Sequence, residues 1–164
     1  MKKLKVALIA GAALLIVLGV AHAASMRDDD QDNDRSSREI RLVERIHEFT
    51  FQDTGAPGPS LGDRLIFTSD LFDEENHSVG RDGADCVVVR IDQSQPPPEQ
   101  QIVQCLISLE LPEGQITFQG LAQGTESFFA ITGGTGAFRT ARGEAFAKDT
   151  VPLQQAEITI RLFR

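Results

Sequence analysis

From Ile40 onward, apolar residues recur at every second position or in short runs of β-branched and aromatic residues, and glycine or proline breaks the pattern at regular intervals. Alternation of this kind marks half-buried strands, and no window sustains the three-to-four spacing of an amphipathic helix. The last segment is the cleanest: Ala156, Ile158, Ile160 and Leu162 share one face, and Gln155, Glu157, Thr159 and Arg161 share the other. Ile116 and Phe118 likewise oppose Gln115, Thr117 and Gln119. The pattern predicts strands over 40–52, 62–73, 84–92, 101–111, 114–122, 126–132, 137–148 and 153–163. Eight antiparallel strands with short connections predict an all-β, eight-stranded antiparallel β-barrel over 40–164, because closure removes both exposed sheet edges. A two-sheet sandwich is the alternative that the pattern leaves open.

Two strands break the alternation. In the first, Ile40, Leu42 and Ile46 are even-numbered whereas Phe49 and Phe51 are odd, so the inward face switches near His47 and Glu48. A β-bulge there would produce the switch. In the third, Cys86 is opposite in parity to Val87, Val89 and Ile91. A disulfide between Cys86 and Cys105 is the expected use of the two cysteines in an exported chain. It requires Cys86 and Val88 to face inward, leaving Val87, Val89 and Ile91 on an apolar outer surface suited to a subunit interface.

The chain before Ile40 has a different character. Residues 1–23 read as a signal peptide: Lys2, Lys3 and Lys5, an apolar run from Val6 to Val20, and the small-residue exit Ala21-His22-Ala23. Cleavage after Ala23 places the protein in a secreted or periplasmic/extracellular location. Residues 24–39 form an acidic leader too polar to fold. Asp30-x-Asp32-x-Asp34 opens like a calcium loop, but Arg35 and Arg41 stand where a glycine and a bidentate glutamate are needed. Loss of three lysines from 16 basic residues leaves 13 against 24 acidic ones, a net charge of −11. That balance disfavours nucleic acid and anionic membranes as partners. No later stretch approaches the ~20 apolar residues of a membrane-spanning helix.

Motifs of familiar chemistry fail on context. Gly58-Pro59-Ser60-Leu61-Gly62 matches a nucleophile elbow, which needs a strand before the serine and a helix after it; here a proline-rich turn precedes and a strand follows. Gly133-Gly134-Thr135-Gly136 resembles a dinucleotide-binding fingerprint, but the expected last glycine is Arg139 and no βαβ unit follows. His47, His77 and the two cysteines form no close-spaced ligand pair of the C-x-x-C or H-x-H kind, so no metal site is expected.

Three segments together resemble the allene oxide cyclase and dirigent barrel superfamily. They are Leu61-Gly62-Asp63 with Phe67-Thr68-Ser69-Asp70-Leu71-Phe72-Asp73, then Val79 to Val88, and then Ser127 to Gly143 with its Ala-Ile-Thr-Gly-Gly-Thr-Gly-Ala-Phe core. The resemblance spans about residues 40–163 and implies an eight-stranded barrel with an apolar lumen, assembled as a trimer in plant members. Plant allene oxide cyclases carry a luminal acidic residue in a Tyr-Glu-x-Asn stretch. The matching residues are His47-Glu48-Phe49-Thr50, which makes Glu48 the candidate acid and Thr50 a candidate ligand contact. A luminal asparagine of that family matches Ser69, on the face of Leu65, Phe67 and Leu71, and a luminal cysteine matches Cys86. The family's tyrosine is missing, since this chain has none. Dirigent proteins place aspartates on the second strand, and Asp70 is the nearest match; adjacent residues face opposite ways, so only one of Ser69 and Asp70 faces inward without a bulge.

These residues imply an apolar small-molecule ligand held by Thr50, Phe67, Ser69 and Cys86, with Glu48 or Asp70 as the acid or base. No cofactor is called for. The activity expected is cofactor-free cyclisation or isomerisation, or steering of coupling; the alternative is a non-catalytic ligand-binding or structural barrel. A homo-oligomer, trimer or dimer, is the expected assembly.

Overall fold

A computed structural model describes residues 37–55, 57–96 and 99–163 of the 164-residue chain. The signal segment, its cleavage point after Ala23 and the aspartate-rich stretch lie outside the described residues. The strands are β1 (Arg38–Gln52), β2 (Arg64–Phe72), β3 (Ser78–Ile91), β4 (Gln101–Leu111), β5 (Gly114–Ala122), β6 (Glu126–Gly134), β7 (Gly143–Val151) and β8 (Gln155–Leu162). Each pairs antiparallel with its chain neighbour, and β1 pairs with β8, closing the barrel in sequence order. Among the described residues no helix is long and apolar enough to cross a membrane.

Two strands begin six residues away from where the alternation predicts, and β1, β2 and β8 begin two residues away. β3 starts at Ser78, not at residue 84, and runs through Gly80 and Gly83. A side chain at Gly80 would run into the carbonyl oxygen of Glu110, so this glycine serves close strand packing and not a turn. β7 starts at Gly143, not at 137, because the chain after β6 forms a 3-10 turn at Gly136–Phe138. That turn carries Phe138 into the base of the barrel, where it is 1% exposed and sits beneath the Arg38 guanidinium, 5.5 Å from the ring centre.

The interior divides lengthwise. At the Phe138 end, Leu42, Leu71, Leu109, Ile116, Ala145 and Ile160 are buried in one cluster with Phe138. At the other end, below the turn that joins β7 to β8, the barrel is hollow.

The bulge in β1 is where the parity change puts it. Pairing with β2 jumps from Ile46↔Ser69 to Glu48↔Thr68, leaving His47 unpaired on its own strand. Cys86 and Cys105 are direct cross-strand partners and form a disulfide with a Cα–Cα distance of 4.0 Å. Cys86 and Val88 are buried while Val89 is 47% exposed, the orientation that bridging requires.

Candidate functional site

The hollow end encloses a cavity of about 150 Å³. Its walls are apolar: Leu65 and Phe67 from β2, Val103 and Ile107 from β4, Phe118 from β5 and Phe129 from β6. The disulfide Cys86–Cys105 forms part of the wall. Toward the mouth the lining turns polar, with Thr125, Ser127, Gln154 and Gln155. A cavity of this size in an apolar core holds a single aromatic ring.

Glu44 of β1 lines the cavity at 7% exposure. Ser69 of β2 donates its hydroxyl to Glu44 Oε1 at 3.1 Å. Asp82 of β3 is the register partner of Ser69 and is 6% exposed. Neither of its carboxylate oxygens meets a hydrogen-bond donor among the described residues. Burial is the first cause that pushes the Glu44 carboxyl up, to about 9, followed by the neighbouring Asp82 as hydrogen-bond partner and like charge. Burial also raises Asp82, partly offset by its contacts with Glu44 and Ser69. Two neighbouring carboxyls in an apolar setting resist ionising together, so the pair retains at least one proton near neutral pH. A third carboxyl, Asp149 of β7, lines the cavity half-buried, is raised by desolvation and adds a like charge to Glu44.

Of the residues expected at the site, Phe67, Ser69 and Cys86 face the interior, Phe67 and Cys86 as cavity wall and Ser69 as the support of Glu44. Glu48, Thr50 and Asp70 do not. The bulge at His47 turns Glu48 outward opposite Thr68 and Thr50 outward opposite Ile66, and both are exposed. Asp70 is exposed on the outer face, with one carboxylate oxygen 3.9 Å from His47 Nδ1. The carboxyl that reaches the lumen from β1 is Glu44, four residues before the bulge. Its even-numbered place between Leu42 and Ile46 carried that signal, as did the place of Asp82 on the Ala84 and Cys86 face.

The other residues considered in sequence have structural roles. Ser60 donates its hydroxyl and its backbone N–H to the buried Asp63, which also accepts from Thr54 N–H; these contacts tie the β1–β2 loop and hold the Asp63 carboxyl below its usual range. Asp73, Glu75 and His77 bring ligand-type atoms within 4.8 Å of one another on the exposed β2–β3 turn. There the Asp73 carboxylate is taken up by the His77 backbone N–H and ring.

The fold is a small closed antiparallel barrel with an acidic pair beside an apolar pocket, distinct from a barrel packed throughout. The profile of the allene oxide cyclase barrel like domain matches residues 43–162, and the chain belongs to that family. Among curated proteins there is no match. Among solved structures, a pyocyanin demethylase is similar at 25% identity and TM-score 0.65, over 75% of this chain and 99% of that one. An exo-specific intermolecular Diels-Alderase is similar at 17% identity and TM-score 0.63, over 77% and 98%. A pterocarpan synthase dirigent protein is similar at 15% identity and TM-score 0.60, over 78% and 84%.

Proposed function

We propose that the lumen binds a compact, largely apolar molecule and that the Glu44–Asp82 pair moves a proton on it during a cofactor-free cyclisation or isomerisation. The observation that carries this reading is a buried carboxyl, Glu44, that faces a largely apolar cavity and is backed by Ser69 and Asp82. Glu44 delivers its proton to an oxygen or unsaturated carbon of the ligand as a bond closes or shifts. A proton released from another ligand atom returns to the pair, so the site ends as it began. The walls fix the reacting conformation, which supplies the entropic share of the acceleration. Membership of a family named for a cyclase supports the reaction class, and the pyocyanin demethylase supports a small organic ligand. The Cys86–Cys105 bridge is compatible with export to an oxidising compartment.

The test is turnover of a panel of small polyenes, epoxides and phenolics, with products followed by mass spectrometry. Glu44→Gln is expected to lower the turnover rate about a hundredfold or more while affinity for an uncharged ligand stays within a few-fold. A variant that binds and turns over like the parent sinks the assignment. Binding without turnover by the parent chain leaves the non-catalytic barrel as the better reading.

A further inference from the structure

The lumen is unusual in the sign of its polar groups. Glu44 from β1 and Asp149 from β7 line the cavity, Asp82 from β3 neighbours Glu44, and Ser69 from β2 already donates to Glu44. Among the described residues, no lysine, arginine or histidine lines the cavity. Neither Glu44 nor Asp82 has a basic partner among the described residues, so any negative charge the pair carries lacks a protein counterion. A buried charge of that kind is costly unless something pairs with it. Asp82 is 94% removed from solvent and unpartnered at both oxygens, so the imbalance is a feature of the geometry.

We infer that the ligand is a small ring compound bearing a basic nitrogen or fixed positive charge, with its cationic end on Glu44 and its ring in the apolar walls. This inference rests on the lumen reading given above and names the class of molecule it takes. Three further observations point the same way. The cavity volume of about 150 Å³ suits one ring. Phe67, Phe118 and Phe129 line it, and aromatic faces attract cations. The chain's formal net charge of −8 favours approach of cations over anions. An anionic ligand, a carboxylate above all, would meet the carboxyls of Glu44 and Asp149 and no counter-charge.

Three probes of nearly equal size separate the possibilities: benzylammonium, benzyl alcohol and benzoate, titrated at pH 7 by calorimetry and by amide NMR shifts. Benzylammonium is expected to bind at least tenfold more tightly than benzyl alcohol, and benzoate not to bind at millimolar concentration. In Glu44→Gln and in Asp82→Asn, each checked for an unchanged amide spectrum, the ratio is expected to fall toward one while the alcohol's affinity holds within about twofold. Equal binding of the first two probes, or tighter binding of the alcohol, overturns the cation preference and leaves the apolar-ligand reading standing. A preference that persists in both variants places the ammonium on Asp149 or on the acidic exterior, away from Glu44, and also overturns the inference. Failure of all three probes to enter overturns the inference together with the lumen reading.

Discussion

The two ends of the barrel are built from the same alternation and reach opposite results. At the base, the 3-10 turn after β6 folds Phe138 inward, and Leu42, Leu71, Leu109 and Ile116 close around it. At the other end no loop delivers such a plug among the described residues, and Phe67, Phe118 and Phe129 line a space instead of filling it. Glu44, Ser69 and Asp82 lie where the filled half gives way to the hollow one. Inward alternation therefore specifies a closed wall, and the fate of the space inside it depends on one connection. Stability and chemistry are assigned to different ends, and substitutions can set them against each other.

The largest effect is expected from Phe138→Ala, which removes the plug and leaves a cavity in a rigid surround; a loss of about 3–5 kcal/mol follows. Phe67→Ala, on a wall already facing a void, is expected to cost about 1–2 kcal/mol, with the larger change in ligand uptake. Equal losses in denaturant titrations would break the contrast between the ends. Replacing both Cys86 and Cys105 with alanine opens a link between residues 19 apart and is expected to cost about 3 kcal/mol. A loss near zero in the same titration would show that β3 and β4 hold that wall without the bridge.

A pH dependence of stability is also expected. The folded Glu44 carboxyl, raised to about 9, binds its proton more tightly than the unfolded one. Its contribution is therefore fully present below the unfolded pKa and is lost as pH rises toward the folded one. Asp82 and Asp149, also raised, act in the same direction. Glu39, Asp63, Asp73 and Asp92 are lowered by their hydrogen bonds, and their stabilisation is lost as pH falls through the acid range. Stability is expected to peak at mildly acidic pH. Glu44→Gln is expected to gain about 1–3 kcal/mol at pH 8 and little at pH 4.5, read from melting temperatures at the two values. A variant with the parent's alkaline slope would place the charge imbalance elsewhere than at this pair.

The barrel was legible because closure leaves each strand one buried and one wet face, and β4 and β5 fall on the residues the alternation gives. The boundaries of β3 and β7 were not, because a glycine reads as a turn whether it supplies a bend or lets two backbones approach, as Gly80 does. The candidate site was legible in its walls and in Ser69. The luminal acid was misplaced because the resemblance supplied Glu48 by position in a motif, whereas the fold selects by face. Once the switch near His47 was counted, Glu44 lay on the inner side with Leu42. What the alternation could not supply is the pairing of Glu44 with Asp82, which comes from two strands separated by β2.

The bulge at His47 has a bearing on how such barrels diversify. One surplus residue, absorbed by β1, decides that Phe49 shares a side with Phe67 while Glu48 shares one with Thr68. Paired without that bulge, the same amino acids would exchange sides beyond Ile46, bringing Glu48 and Thr50 within and sending Phe49 and Phe51 out. Insertion or deletion of a single codon in this strand can thus rewrite the lining of the lumen in one step, with every substitution of the wall held in reserve and the rest of the barrel untouched.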